Sequence, residues 1–103
     1  MKVTKKIDES VSKGQQDAIA RRVLVLDGQF EVRLTVRSDS YDFQSYARAE
    51  VWNPVDLKWN IVHTIHFSDM LTPAGLVYRQ GLSLANFHTD MERLLEATKE
   101  ILG

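Results

Sequence analysis

The sequence predicts an α+β domain: a four-stranded antiparallel meander with a C-terminal helix packed on one face, ββββα in order. Residues 1–17 are expected to form a loosely held lead-in, an extra edge strand or a short helix, ahead of a single domain over 18–103. Three observations carry this reading. Asp27-Gly28 separates two apolar-rich runs, IARRVLVLD and QFEVRLTVR. Two further runs rich in aromatic and β-branched residues meet at Asn53-Pro54. Near the C-terminus, apolar residues recur at spacings of three, four and seven. A chain of 103 residues holds one core, and at that size burial of about two-thirds of the unfolded surface suffices to fold.

The N-terminal segment is rich in lysine, with Val3, Ile7 and Val11 at i, i+4 and i+8. That spacing fits a weakly amphipathic helix. Gly14, Ser10 and Ser12 oppose it, and residues 2–7 fit an edge strand equally well.

Asp-Gly supplies the positive φ values that a two-residue type I′ hairpin turn requires. Such a turn sets Val25 opposite Phe30 and Val23 opposite Val32. One face then carries Ile19, Val23, Val25, Phe30, Val32, Leu34 and Val36. The other carries Arg22, Leu24, Leu26, Glu31, Arg33, Thr35 and Arg37. SDSYD at 38–42 is a turn-rich link.

The next hairpin runs from Phe43 to Phe67. Phe43, Ala47, Ala49 and Val51 alternate with Gln44, Tyr46, Arg48, Glu50 and Trp52. Pro54 ends that strand because it offers no N–H to a ladder. Beyond it, Trp59, Ile61, His63, Ile65 and Phe67 form an apolar set, against Lys58, Asn60, Val62, Thr64 and His66. The segment SDMLTPAGLVYRQG has no sustained period and is expected to be a crossing loop, with Thr72-Pro73 able to start one helical turn.

A helix is predicted over 84–102. Leu84, Phe87, Met91, Leu94, Leu95, Thr98, Ile101 and Leu102 form its apolar stripe, with Asp90, Glu92, Arg93, Glu96, Lys99 and Glu100 mainly opposite. Ser83 is a candidate N-cap, and Thr89 with Glu92 matches a capping box that would start the helix later. At about 28 Å, the helix spans a nine-residue strand of about 30 Å.

Composition narrows the function. The chain has no cysteine, which excludes disulfides, thiolate nucleophiles and cysteine-held metals. A formal charge of −1 argues against a bulk basic nucleic-acid binder. No run approaches the ~20 apolar residues of a membrane span, and MKVTKKIDES lacks a signal-peptide core, so a cytoplasmic location without membrane partners is expected. His63 and His66 point to opposite faces of one strand and cannot share a metal; a hydrogen-bonded core-edge role suits His63 better than ligation. GLSLA at 81–85 only echoes a nucleophile elbow, lacking the strand before it, and a helix-capping serine explains it better. The helix carboxylates fit an ordinary solvated face. No catalytic residue, metal or cofactor is expected, and the chain is not read as an enzyme.

The outer sheet face is the candidate site. It is expected to display Arg22, Arg33, Arg37 and Arg48 beside Tyr46, Trp52 and His66, with Leu24, Leu26 and Val62, and with Glu31 and Glu50 interspersed. Arginine with tyrosine and tryptophan is enriched at protein hot spots and also suits base stacking with phosphate pairing. Cross-strand Arg–Glu pairing on a wet face is the structural alternative, but so much apolar area is unusual to leave in water. The expected function is a small protein-binding module, homodimeric through this face. Two alternatives remain: a phage or mobile-element type inhibitor or adaptor acting on a nucleic-acid-handling complex, and a nucleic-acid or small-ligand binder.

Overall fold

The computed structural model of the chain describes residues 1–14, 17–39, 46–66 and 88–103. They form one antiparallel sheet of five strands in sequence order: β1 (Val3–Lys13), β2 (Asp17–Leu26), β3 (Phe30–Asp39), β4 (Tyr46–Asn53) and β5 (Lys58–His66). A helix, α1 (His88–Leu102), packs across β3, β4 and β5. The α+β class, the meander and the C-terminal helix are as the sequence predicts. Of the readings open for the N-terminus, the strand is the one found. The predicted loop over 68–81, the Thr72-Pro73 turn, GLSLA and the Ser83 cap lie outside the described residues, as do Phe43, Phe67, Leu84 and Phe87.

β1 is an edge strand that pairs with β2 through two register shifts, between Val3 and Lys5 and between Lys6 and Asp8. Val3 and Ile7 are exposed, and Val11 alone of its apolar residues packs against the core. Irregular pairing together with Lys5, Lys6, Asp8 and Glu9 makes this edge a poor template for another strand.

The Asp27-Gly28 turn has the predicted chemistry, with φ of 53° and 64° and the Gln29 N–H donating to the Leu26 carbonyl at 3.0 Å. The register differs from expectation. Leu26 pairs with Phe30, Leu24 with Val32 and Ala20 with Val36, so Gln29 is one residue more than a two-residue turn contains. A one-residue shift inverts a whole strand. Leu24 and Leu26 therefore lie in the core with Ala18 and Ala20, while Val23 and Val25 face outward opposite Arg33 and Glu31.

β3 and β4 follow the predicted alternation. Val32, Leu34 and Val36 lie opposite Val51, Ala49 and Ala47 on the core side. The two alanines let α1 approach closely, and both are fully buried. From α1, Met91, Leu94, Leu95 and Thr98 are buried on this face, and each large apolar side chain so buried contributes roughly 1.5–3 kcal/mol. The Thr98 hydroxyl donates to the Leu94 carbonyl at 2.7 Å, which satisfies it inside the core. Two positions depart from the predicted stripe. Asp90 is buried because it lies one turn before Leu94 on the same face, and Ile101 is exposed in the last turn of the helix.

Candidate binding face

The side of the sheet opposite α1 is built from three rows of cross-strand neighbours. Asp8, Val23, Arg33, Glu50 and Ile61 form the first; Ser10, Arg21, Thr35, Arg48 and Thr64 the second. Ser12, Ile19, Arg37, Tyr46 and the backbone position of His66 form the third. Beyond the first row, toward the β4–β5 turn, Trp52 pairs with Trp59.

Trp59 and Ile61 reach this face through a second irregularity. Ala49 pairs with His63 and Glu50 with Ile61, so Val62 is an extra residue in β5. His63 and Ile65 keep to the core side, and Val62 packs against the core. Past the bulge the parity changes, and Trp59 and Ile61 turn outward. The predicted apolar set on this strand is thus split between the two faces.

At the hairpin end of the face the side chains are locked together. Trp52 and Trp59 meet edge-on, with centroids 5.4 Å apart and planes at 61°, a favoured aromatic geometry. The Arg33 guanidinium lies 4.5 Å from the Trp59 ring centroid while donating twice to Glu50, at 3.0 and 2.9 Å. This fork fixes the guanidinium plane over the indole. At the other end Arg48 lies 4.5 Å over the Tyr46 ring, and its Nε is buried without a hydrogen-bond partner among the described residues. Between them Thr35 is buried, and Arg21 Nε donates to its hydroxyl at 3.4 Å.

The structure brings Arg33, Arg37, Tyr46, Arg48 and Trp52 onto one surface, with Glu31 and Glu50 among them. His66 stands opposite Tyr46 in register. Four residues expected here are elsewhere. Leu24, Leu26 and Val62 belong to the helix side, and so does Arg22. Arg22 bridges the sheet to its neighbours: Nη1 lies 3.4 Å from Glu92 of α1, and Nη2 lies 3.6 Å from Glu9 of β1. A hydrogen bond from Lys6 at 2.8 Å, and secondarily the Arg22 charge, hold the Glu9 carboxyl below its ordinary pKa.

Sequence reasoning missed Arg21, Trp59 and Ile61. Arg21 took the outer place of Arg22 when β2 inverted. For Trp59 and Ile61 the available signal was Ile61-Val62, two adjacent apolar residues that break the strand's alternation where the bulge sits. Among the described residues, no group of three His, Cys, Asp or Glu side chains is placed to hold a metal, and no helix is long and apolar enough to cross a membrane. No family model, curated protein or solved structure matches the chain.

Proposed function

We propose that this chain is a small non-enzymatic protein-binding module working through its outer sheet face, with self-association as the simplest form. The observation that supports it best is the state of Arg33. Its fork is occupied by Glu50 and its flat side by Trp59. The charge in that region is balanced within the chain, and the surface left for a partner is aromatic and apolar: Trp52, Trp59 and Ile61. Desolvated aromatics beside a fixed arginine are the composition of protein hot spots. Phosphate recognition needs guanidinium donors that are not already engaged.

Nucleic-acid binding is the second reading. One observation favours it: Arg21 and Arg48 share a row across Thr35 and make no ion pair with a described residue. An adaptor acting on a nucleic-acid-handling complex would draw on the same face.

Light scattering over a wide concentration range tests the first reading. The mass is expected to rise from 11.8 kDa toward twice that value. Arg48→Ala combined with Trp52→Ala is expected to weaken association at least tenfold. A mass that never rises, together with oligonucleotide binding that falls steeply with salt and is lost in the same variant, transfers the function to the second reading.

A further inference from the structure

The turn between β4 and β5 is built to hold apolar side chains in water. Val55 is 87% exposed and Leu57 73%, and Ile61, just below on the outer face, is 59% exposed. Leu57 has φ of 53°, a left-handed conformation that a branched apolar residue rarely adopts. The turn is nevertheless braced. Asn53 Oδ1 accepts from the Val55 and Asp56 N–H groups at 3.0 and 3.1 Å, and Asn53 Nδ2 donates to Asp56 at 3.1 Å. Beneath it stands the Trp52–Trp59 pair, steadied by Arg33. A braced, strained element that displays apolar surface suits recognition better than solubility.

We propose that this turn, with Ile61, is where a second copy of the chain docks about a two-fold axis. The inference rests on the protein-binding reading above and names its occupant and its contact. Charge selects the occupant. Between Val51 and Ile65 the only formally charged residues are Asp56 and Lys58, of opposite sign and two positions apart. When two such turns meet antiparallel, Asp56 of each copy faces Lys58 of the other, so the rim is complementary to itself. The β1 edge also carries both signs, but its two register shifts make it a poor surface for a regular contact with a second copy. A lipid surface fits poorly, because Asp56 sits between Val55 and Leu57 and would enter hydrocarbon with them. A contact built on Val55, Leu57 and Ile61 of each copy is small, and a dimer that dissociates in the micromolar range or above is expected.

The test is sedimentation equilibrium on the wild type and on Val55→Ser combined with Leu57→Gly. Glycine accepts the left-handed conformation freely, so the variant keeps its fold, verified by an unchanged or higher urea midpoint. The wild-type mass should approach twice 11.8 kDa with concentration, while the variant is at least tenfold weaker. Asp56→Lys should weaken the dimer, and adding Lys58→Asp should restore it. A dimer that survives the turn substitutions but is lost with Arg48→Ala and Trp52→Ala overturns the turn contact and leaves the outer-face reading standing. A wild type that stays monomeric at all concentrations overturns the dimer itself. Turn-dependent binding to phosphatidylcholine vesicles by a monomeric protein overturns the choice of partner.

Discussion

The β2–β3 and β4–β5 hairpins open at the same end of the sheet, and each holds one residue more than simple alternation allows. In the first the extra residue is Gln29, next to the turn, and all of β2 is inverted. In the second it is Val62, inside the strand, and only the turn-proximal part of β5 changes face. The turns themselves also differ. Asp27-Gly28 is polar and tied to the N-terminus: Lys2 N–H donates to the Asp27 carboxylate at 2.9 Å, and Gly28 N–H donates to the Thr4 hydroxyl at 2.8 Å. The Pro54–Leu57 turn is braced by its own Asn53 and projects Val55 and Leu57 into solvent. An insertion at a turn therefore decides what the core is made of, whereas an insertion within a strand decides what the surface displays.

The most severe challenge to this contrast is deletion of the two extra residues in turn. Removing Gln29 would restore a two-residue turn and drive Leu24 and Leu26 into solvent. The expected result is loss of the cooperative urea transition. Removing Val62 disturbs only one end of β5 and should leave a folded protein with a lower midpoint. Equal effects from both deletions would contradict the distinction.

Next in size is a pair of truncations on β2. Leu24→Ala should destabilise by about 2–5 kcal/mol, as buried leucines do, and Val23→Ala, half-buried on the outer face, by about 1 kcal/mol or less. Urea denaturation giving the reverse order would restore the two-residue register.

A smaller effect is expected at the lock beneath the β4–β5 turn. Arg33→Ala leaves Glu50 without its fork and uncovers Trp59, a loss of about 1–3 kcal/mol. Arg33→Lys should recover only part of it, since an ammonium cannot make the paired contact. Tryptophan fluorescence should shift in both variants. Full recovery by lysine would show that charge alone matters at this position.

The smallest effect concerns Glu9 on the β1 edge. Lys6 lowers its pKa on folding, so its contribution to stability is present above the unfolded-state value and is lost as pH falls through the folded one. Because Glu9 is exposed, solvent screening keeps the effect slight. Lys6→Ala should flatten the pH dependence of the urea midpoint on the acid side. An unaltered dependence would assign it to another carboxylate.

The kinds of element were legible from residue order because their causes are local. Asp27-Gly28 demands positive φ, Pro54 cannot serve a ladder, and the 91–94–98 spacing makes a helical stripe. For β3 and β4 the alternation was clean enough to assign faces too, which is why Arg33, Arg48, Tyr46 and Trp52 were grouped correctly. Residues 23–26 are Val-Leu-Val-Leu, apolar on both faces, and such a strand satisfies either parity. Ile61-Val62 offers the same ambiguity in β5. The choice belongs to pairing between strands and to the face that α1 covers. Folding the chain onto that helix sent Leu24 inward, Trp59 outward and Arg22 to the carboxylates of Glu9 and Glu92.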